Sequence, residues 1–220
     1  MRPAWLLAAA LAAAAPAHAQ PPAAPAHASV AAENQHARVL RARLAPGQST
    51  PMHEHSERVV VFLTGAKLEV TLPDGTSGVV ERKAGDADIA PPTKHAVRNL
   101  AAAPFEAAEI ELLAPTAARP LGDAAKEDAK HTVVVAANER VRVLRTKIIP
   151  GDAAPMHGHG ERVTVILSGG AMRITSPDGT SRDAEMRTGD VSIAAPVRHA
   201  AANVGTTLHD AITVELVPTP

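Results

Sequence analysis

The chain has 220 residues, 45% of them hydrophobic and 20% charged, which is enough apolar material for one large domain or two small ones. Its formal net charge is −1, and no run of either sign offers the electrostatic footprint that nucleic-acid binding needs. There is no cysteine and no tyrosine, with one Trp and two Phe, so disulfides and thiolate metal ligands are excluded and a pocket built on aromatic stacking is hard to assemble.

Residues 1–19 read as an export signal. Arg2 supplies a positive start, Trp5 to Ala15 an apolar stretch, and Ala17, His18 and Ala19 an AxA cleavage site before Gln20. The stretch falls short of the roughly 20 apolar residues of a membrane span. The mature chain is therefore expected to be periplasmic or secreted, with no membrane contact after cleavage. Residues 20–32 are rich in Pro and Ala and are expected to form a disordered leader.

Beyond the leader the signals are those of strands. Val39 to Leu44, Val59 to Leu63, Leu68 to Leu72 and Ile110 to Leu113 are short apolar or alternating segments. Pro, Gly and Asp separate them at intervals of about ten residues, and helical periodicity is missing, so the expected class is all-β, a sandwich or barrel. "TLPDGTS", with Asp74 and Gly75, reads as a hairpin turn. The run Val59 to Leu63 does not alternate, which predicts burial on both faces. One face would line its own barrel; the other would meet the second half of the chain or a second copy in a homodimer.

That second half is a duplicate. An offset of 104 positions relates His53 to His157, Gly85 to Gly189 and His95 to His199, and it holds without a gap from Asn34/Asn138 to Leu112/Leu216. The expected units are 33–113 and 133–220. Residues 114–132, Ala-rich and broken by prolines, form the linker.

Six of the eleven histidines fall into two equivalent sets, His53, His55, His95 and His157, His159, His199. Residues two apart on a strand point the same way, about 6.6 Å apart, so two imidazoles can converge on one ion. Neutral imidazole suits Fe, Mn, Zn, Ni or Cu, and up to two ions per chain are expected. The other five histidines gain no role: His18 and His27 lie in signal and leader, His36 and His209 match Arg140 and Phe105, and His131 corresponds only to His27.

These residues resemble the cupin superfamily. Gly47, His53, His55 and Gly65 follow its first motif, and Gly85, Pro91, His95 and Asn99 its second. Gly151, His157, His159 and Gly169, then Gly189, His199 and Asn203, repeat both, with Ala195 in place of the first Pro and Pro196 after it. The resemblance implies a bicupin: two tandem double-stranded β-helix barrels, each with a metal between opposed strands. It also implies a glutamate ligand at 59 or 60, where Val59 and Val60 stand, and Val163 and Thr164 in the repeat. Strand parity offers Glu57 and Glu161 instead, as ligands or as the only acid/base candidates near the histidines; solvated glutamates beside Arg58 and Arg162 are the competing reading.

Lys94 and Arg198, each just before the third histidine, are candidates for attracting an anionic ligand. Two functions follow. One is a metal-dependent enzyme, dioxygenase-, isomerase- or decarboxylase-like, acting on a small polar or anionic molecule. The other is a non-catalytic periplasmic protein that binds a metal or small ligand. Gly158 and Gly160 replace Glu54 and Ser56, so the second site is expected to be the more flexible and open.

Overall fold

A computed structural model describes residues 27–219; the expected export signal at 1–19 and the first part of the leader lie outside the described residues. The first unit contains β1 (Ala28–Glu33), β2 (Ala37–Leu44), β3 (His53–His55), β4 (Arg58–Phe62), β5 (Ala66–Thr71), β6 (Ser77–Arg82), β7 (Ala87–Ala90), β8 (Thr93–Asn99) and β9 (Phe105–Leu112). One helical turn, α1 (Ala124–Glu127), follows in the linker. The second unit repeats the order with β10 (Thr132–Ala137), β11 (Val141–Ile148), β12 (Ala153–His159), β13 (Arg162–Ser168), β14 (Gly170–Thr175), β15 (Ser181–Met186), β16 (Val191–Ala194), β17 (Val197–Asn203) and β18 (His209–Leu216). No helix among the described residues is long and apolar enough to cross a membrane.

Each unit folds two antiparallel sheets over one core. In the first, a five-stranded sheet of order β1-β2-β9-β4-β7 faces a four-stranded one of order β3-β8-β5-β6, and the second unit is built alike. Ala42, Leu44, Val60, Phe62 and Phe105 from the first sheet pack on Ala66 and Leu68 from the second. The expected all-β class is what the chain adopts. β5 and β6 are joined through Gly75, at φ 85°, where Asp74 Oδ1 accepts hydrogen bonds from the backbone and hydroxyl of Thr76.

The leader departs from expectation. Residues 28–32 are strand, with β1 paired antiparallel to β2 from Ala28 opposite Ala42 to Glu33 opposite Arg38. The open edge of β2 offers hydrogen bonds that local composition does not reveal, and an Ala/Val/Ser segment satisfies its backbone there.

The outer faces of the two five-stranded sheets meet. Val39, Val59, Val61 and Ile110 pack against Val143, Val163, Val165 and Val214 in one buried cluster. These residues pair at the 104-residue offset, so the seam is self-complementary, as in a two-fold dimer. Burying each Val or Ile stabilises by roughly 1.5–3 kcal/mol. Alternation within β4 divides the work: Val59 and Val61 face the seam, Val60 and Phe62 the barrel interior.

Candidate metal centres

The two histidine sets converge because of register. β3 pairs with β8 so that His53 stands opposite His95, and β12 pairs with β17 so that His157 stands opposite His199. Directly opposed side chains start about 5 Å apart, and the second histidine of each HxH shares the face. In each triad one nitrogen per ring lies within 4.8 Å of the others, so each triad could hold a metal ion.

Hydrogen bonds outside the triads orient the rings. His53 Nδ1 donates to the Pro51 carbonyl at 2.8 Å and His157 Nδ1 to Pro155 at 2.7 Å. His55 Nδ1 donates to Glu111 at 2.9 Å and His159 Nδ1 to Glu215 at 2.8 Å. With the proton fixed on Nδ1, the Nε2 lone pair is free for a cation. Burial, then the charges of Arg58 and the neighbouring histidines, pushes His95 down to about 3; burial, then His157 and His159, does the same to His199. Burial also lowers His53 and His157. Neutral imidazoles are the form that ligates metal. Burial alone would raise Glu111, but hydrogen bonds from His55 and Arg38 hold it below the usual carboxylate range.

The structure does not bring Glu57 or Glu161 to the triads. β3 and β4 belong to different sheets, so Ser56 and Glu57 turn a corner and strand parity counted from His55 ends there. Glu57 instead accepts from Asn138 at 2.7 Å and Arg140 at 3.1 Å. Glu161 accepts from Asn34 at 2.9 Å, His36 at 2.8 Å and Thr116 at 2.6 Å. Both glutamates are clamps across the seam. Lys94 and Arg198 also point away from the triads, as neighbours of a triad residue on a strand must. Lys94 pairs with Glu54 at 2.8 Å, and Arg198 binds Glu127 at 3.0 Å and the Leu121 carbonyl at 2.7 Å.

The groups that do border the first triad are Glu109, Arg58 and His27. They line a cavity of about 110 Å³ with His53, His95 and an apolar floor that includes Leu68, Val97 and Phe105. Glu109 Oε2 lies 3.3 Å from His55 Nε2, and both atoms are buried without a hydrogen-bond partner. Arg58 is 4% exposed; its Nε and Nη1 make no hydrogen bond, and Nε forms an ion pair with Glu109 Oε2 at 3.8 Å. His27 meets His53 edge-on with ring centroids 4.6 Å apart, and burial, then His53 and His55, lowers it to about 4.

In the duplicate one of these residues is replaced, and the other two keep their type but make different contacts. Thr213 stands for Glu109, and Arg162 donates to the Ala195 carbonyl at 3.0 Å. His131, the counterpart of His27, is held by Asp128 and Asp152. The linker covers the outside of β12: Glu127 accepts from the Gly158 N–H at 2.7 Å, and the Leu121 N–H donates to the His159 carbonyl. A Cβ on Gly158 would lie 2.5 Å from Gly122 Cα. Gly158 therefore admits the linker and closes this side of the barrel, where greater openness was expected.

Of three similar solved structures, the first two place this architecture. A Bacillus subtilis oxalate decarboxylase aligns over 82% of this chain and 69% of its own at 14% identity and a TM-score of 0.59. AerE from Microcystis aeruginosa aligns over 87% and 97% at 17% identity and a TM-score of 0.61. A cupin domain from Bordetella pertussis aligns over 40% and 92% at 31% identity and a TM-score of 0.38. Each unit has the cupin fold. No family model matches the chain, and no curated protein matches it in sequence. Within the two cupin barrels Asn99 and Asn203 are structural: Asn99 Nδ2 donates to the Leu44 and Ala103 carbonyls, and Asn203 Nδ2 to those of Ile148 and Thr207.

Proposed function

We propose that this is an exported metal-binding bicupin whose first barrel takes a divalent transition metal and a small carboxylate together and acts on that carboxylate. The observation that carries the reading is Arg58, a buried guanidinium whose Nε and Nη1 make no hydrogen bond, in the wall of the cavity that His53 and His95 also line. A buried cation held only by a 3.8 Å ion pair lacks the hydrogen bonds that offset its desolvation, and an anion bound beside it supplies charge-assisted ones. A cavity of about 110 Å³ suits a ligand of a few heavy atoms. A divalent ion bound by the triad would supply Lewis-acid polarisation to such a ligand. Arg58 would fix one carboxylate, and the apolar floor would exclude water. The export signal supports a periplasmic or secreted setting.

The second barrel is read as a holding site. Arg162 is already engaged, and the linker is seated on β12. A Bacillus subtilis oxalate decarboxylase of like fold has Mn(II) centres, which puts Mn(II) and small dicarboxylates first in the panel. Calorimetry of the Mn(II)-loaded mature protein with oxalate, malonate and acetate is expected to show binding that Arg58→Gln weakens roughly tenfold or more. Carbon dioxide release and oxygen uptake on the same panel read turnover. Equal carboxylate affinity in the wild type and Arg58→Gln would contradict the reading.

A further inference from the structure

We infer that His27, the residue just before β1, is a ligand-binding residue of the first cavity, donating from Nδ1 to the small carboxylate that Arg58 holds. The inference rests on the reading of this cavity as a carboxylate site. His27 and Arg58 both line it, beside His53 and His95. His27 Nδ1 is buried without a hydrogen bond, as are Nε and Nη1 of Arg58. Buried nitrogens are normally satisfied, and a carboxylate, which accepts through two oxygens, can satisfy donors from two side chains at once. Glu109, the carboxylate already in the wall, is engaged in ion pairs with His55 and Arg58.

The duplicate shows what an imidazole in this position binds. β1 and β10 dock in the same register, Ala28 opposite Ala42 and Thr132 opposite Thr146, and the His27 and His131 carbonyls accept from the Arg43 and Lys147 N–H groups. His131 then meets two carboxylates of its own chain, Nδ1 facing Asp128 Oδ1 at 2.5 Å and Nε2 facing Asp152 Oδ2 at 3.1 Å. At the matching positions of the first unit stand Ala24 and Gln48, and the Gln48 side chain accepts from the Ala45 N–H. The same backbone position thus carries an imidazole with built-in carboxylates in one unit and without them in the other. In the first unit a ligand carboxylate supplies what Asp128 supplies in the second.

The test is calorimetry of the Mn(II)-loaded mature protein with acetate and oxalate, in His27→Phe, which keeps a flat ring and loses the donor, and in His27→Asn, whose amide nitrogen restores one. Affinity is expected to fall roughly tenfold in His27→Phe and to recover most of that loss in His27→Asn, with Mn(II) content unchanged in both. Nitrogen NMR spectra of the imidazoles in the Zn(II)-loaded wild type, in which acetate should shift the His27 Nδ1 resonance, keep the question open to disproof if His27→Phe fails to fold. Equal affinity in the wild type and His27→Phe, where Arg58→Gln weakens binding, would overturn the role of His27 and leave the carboxylate reading standing, as would an unmoved His27 resonance under saturating acetate. Loss of Mn(II) from His27→Phe would overturn that role too, by making the ring a support for His53. A wild type that binds neither acetate nor oxalate would overturn the carboxylate reading itself.

Discussion

Burial sets the protonation state on which metal binding depends at His95 and His199. Both are pushed down from 6.5 to about 3, so the folded metal-free protein keeps them neutral while the unfolded chain protonates them near 6.5. Between those values the unfolded state binds more protons, and stability falls as the pH drops from 6.5 toward 3; above 6.5 these groups add no pH dependence. Denaturant midpoints of the metal-free protein are expected to be lower at pH 5 than at pH 7.5. Replacing His95 and His199 by Gln should flatten that difference, and parallel profiles would count against the assignment.

The triad histidines could be read from sequence because an HxH and a third histidine recur together at one offset. Glu109 and Glu111 could not, although a signal was present. They lie two apart in "FEAAEIEL", a strand whose other residues are mostly apolar, and buried carboxylates are rare unless paired. Strand alternation alone does not say which triad such a face meets. His27 was hidden differently: its match to His131 looked accidental in low-complexity sequence, yet each precedes an edge strand and offers its carbonyl to the next strand, His27 to Arg43 and His131 to Lys147.

At the level of elements, the corner between β3 and β4 and the linker on β12 matter most. Counting alternate residues works within a strand and fails where the chain changes sheets, which is why Glu57 is directed to the seam. Glycine at 158 is likewise ambiguous from sequence, since the same missing side chain can loosen a loop or let another segment close on it. The structure selects the second, with Glu127, Arg198 and Leu121 joined across the contact. Gly158→Ala would drive a Cβ into the Gly122 backbone, whereas the nearest atom to a Cβ on Gly160 is 3.6 Å away. Gly158→Ala is expected to cost about 1–3 kcal/mol and to raise hydrogen exchange over residues 120–128. Gly160→Ala should do neither, and equal exchange in both variants would disprove the linker's role.

For the whole molecule, one duplicated unit yields two unequal halves around a near-symmetric seam. Valine pairs related by the offset form the seam, and Glu57 with Asn138 and Arg140 mirrors Glu161 with Asn34 and His36. An isolated barrel would expose this apolar face, which is a liability in water. The run Val59 to Leu63 announced burial on both faces, but the sequence alone did not choose between an internal partner and a second chain. Around the shared seam the first barrel keeps a cavity with Arg58 and Glu109; the second has Thr213 for Glu109, turns Arg162 to the Ala195 carbonyl and seats the linker on β12.

Metal analysis of the mature protein, purified without a His tag and supplemented in turn with Fe, Mn, Zn, Ni and Cu, tests the central claim most directly. The expected result is close to one ion per triad, two per chain, about halved by His53→Ala with His95→Ala and unchanged by Glu57→Gln with Glu161→Gln. Metal-free protein under all five supplements, or loss of metal in the Glu57 and Glu161 variant with the histidines intact, would contradict it.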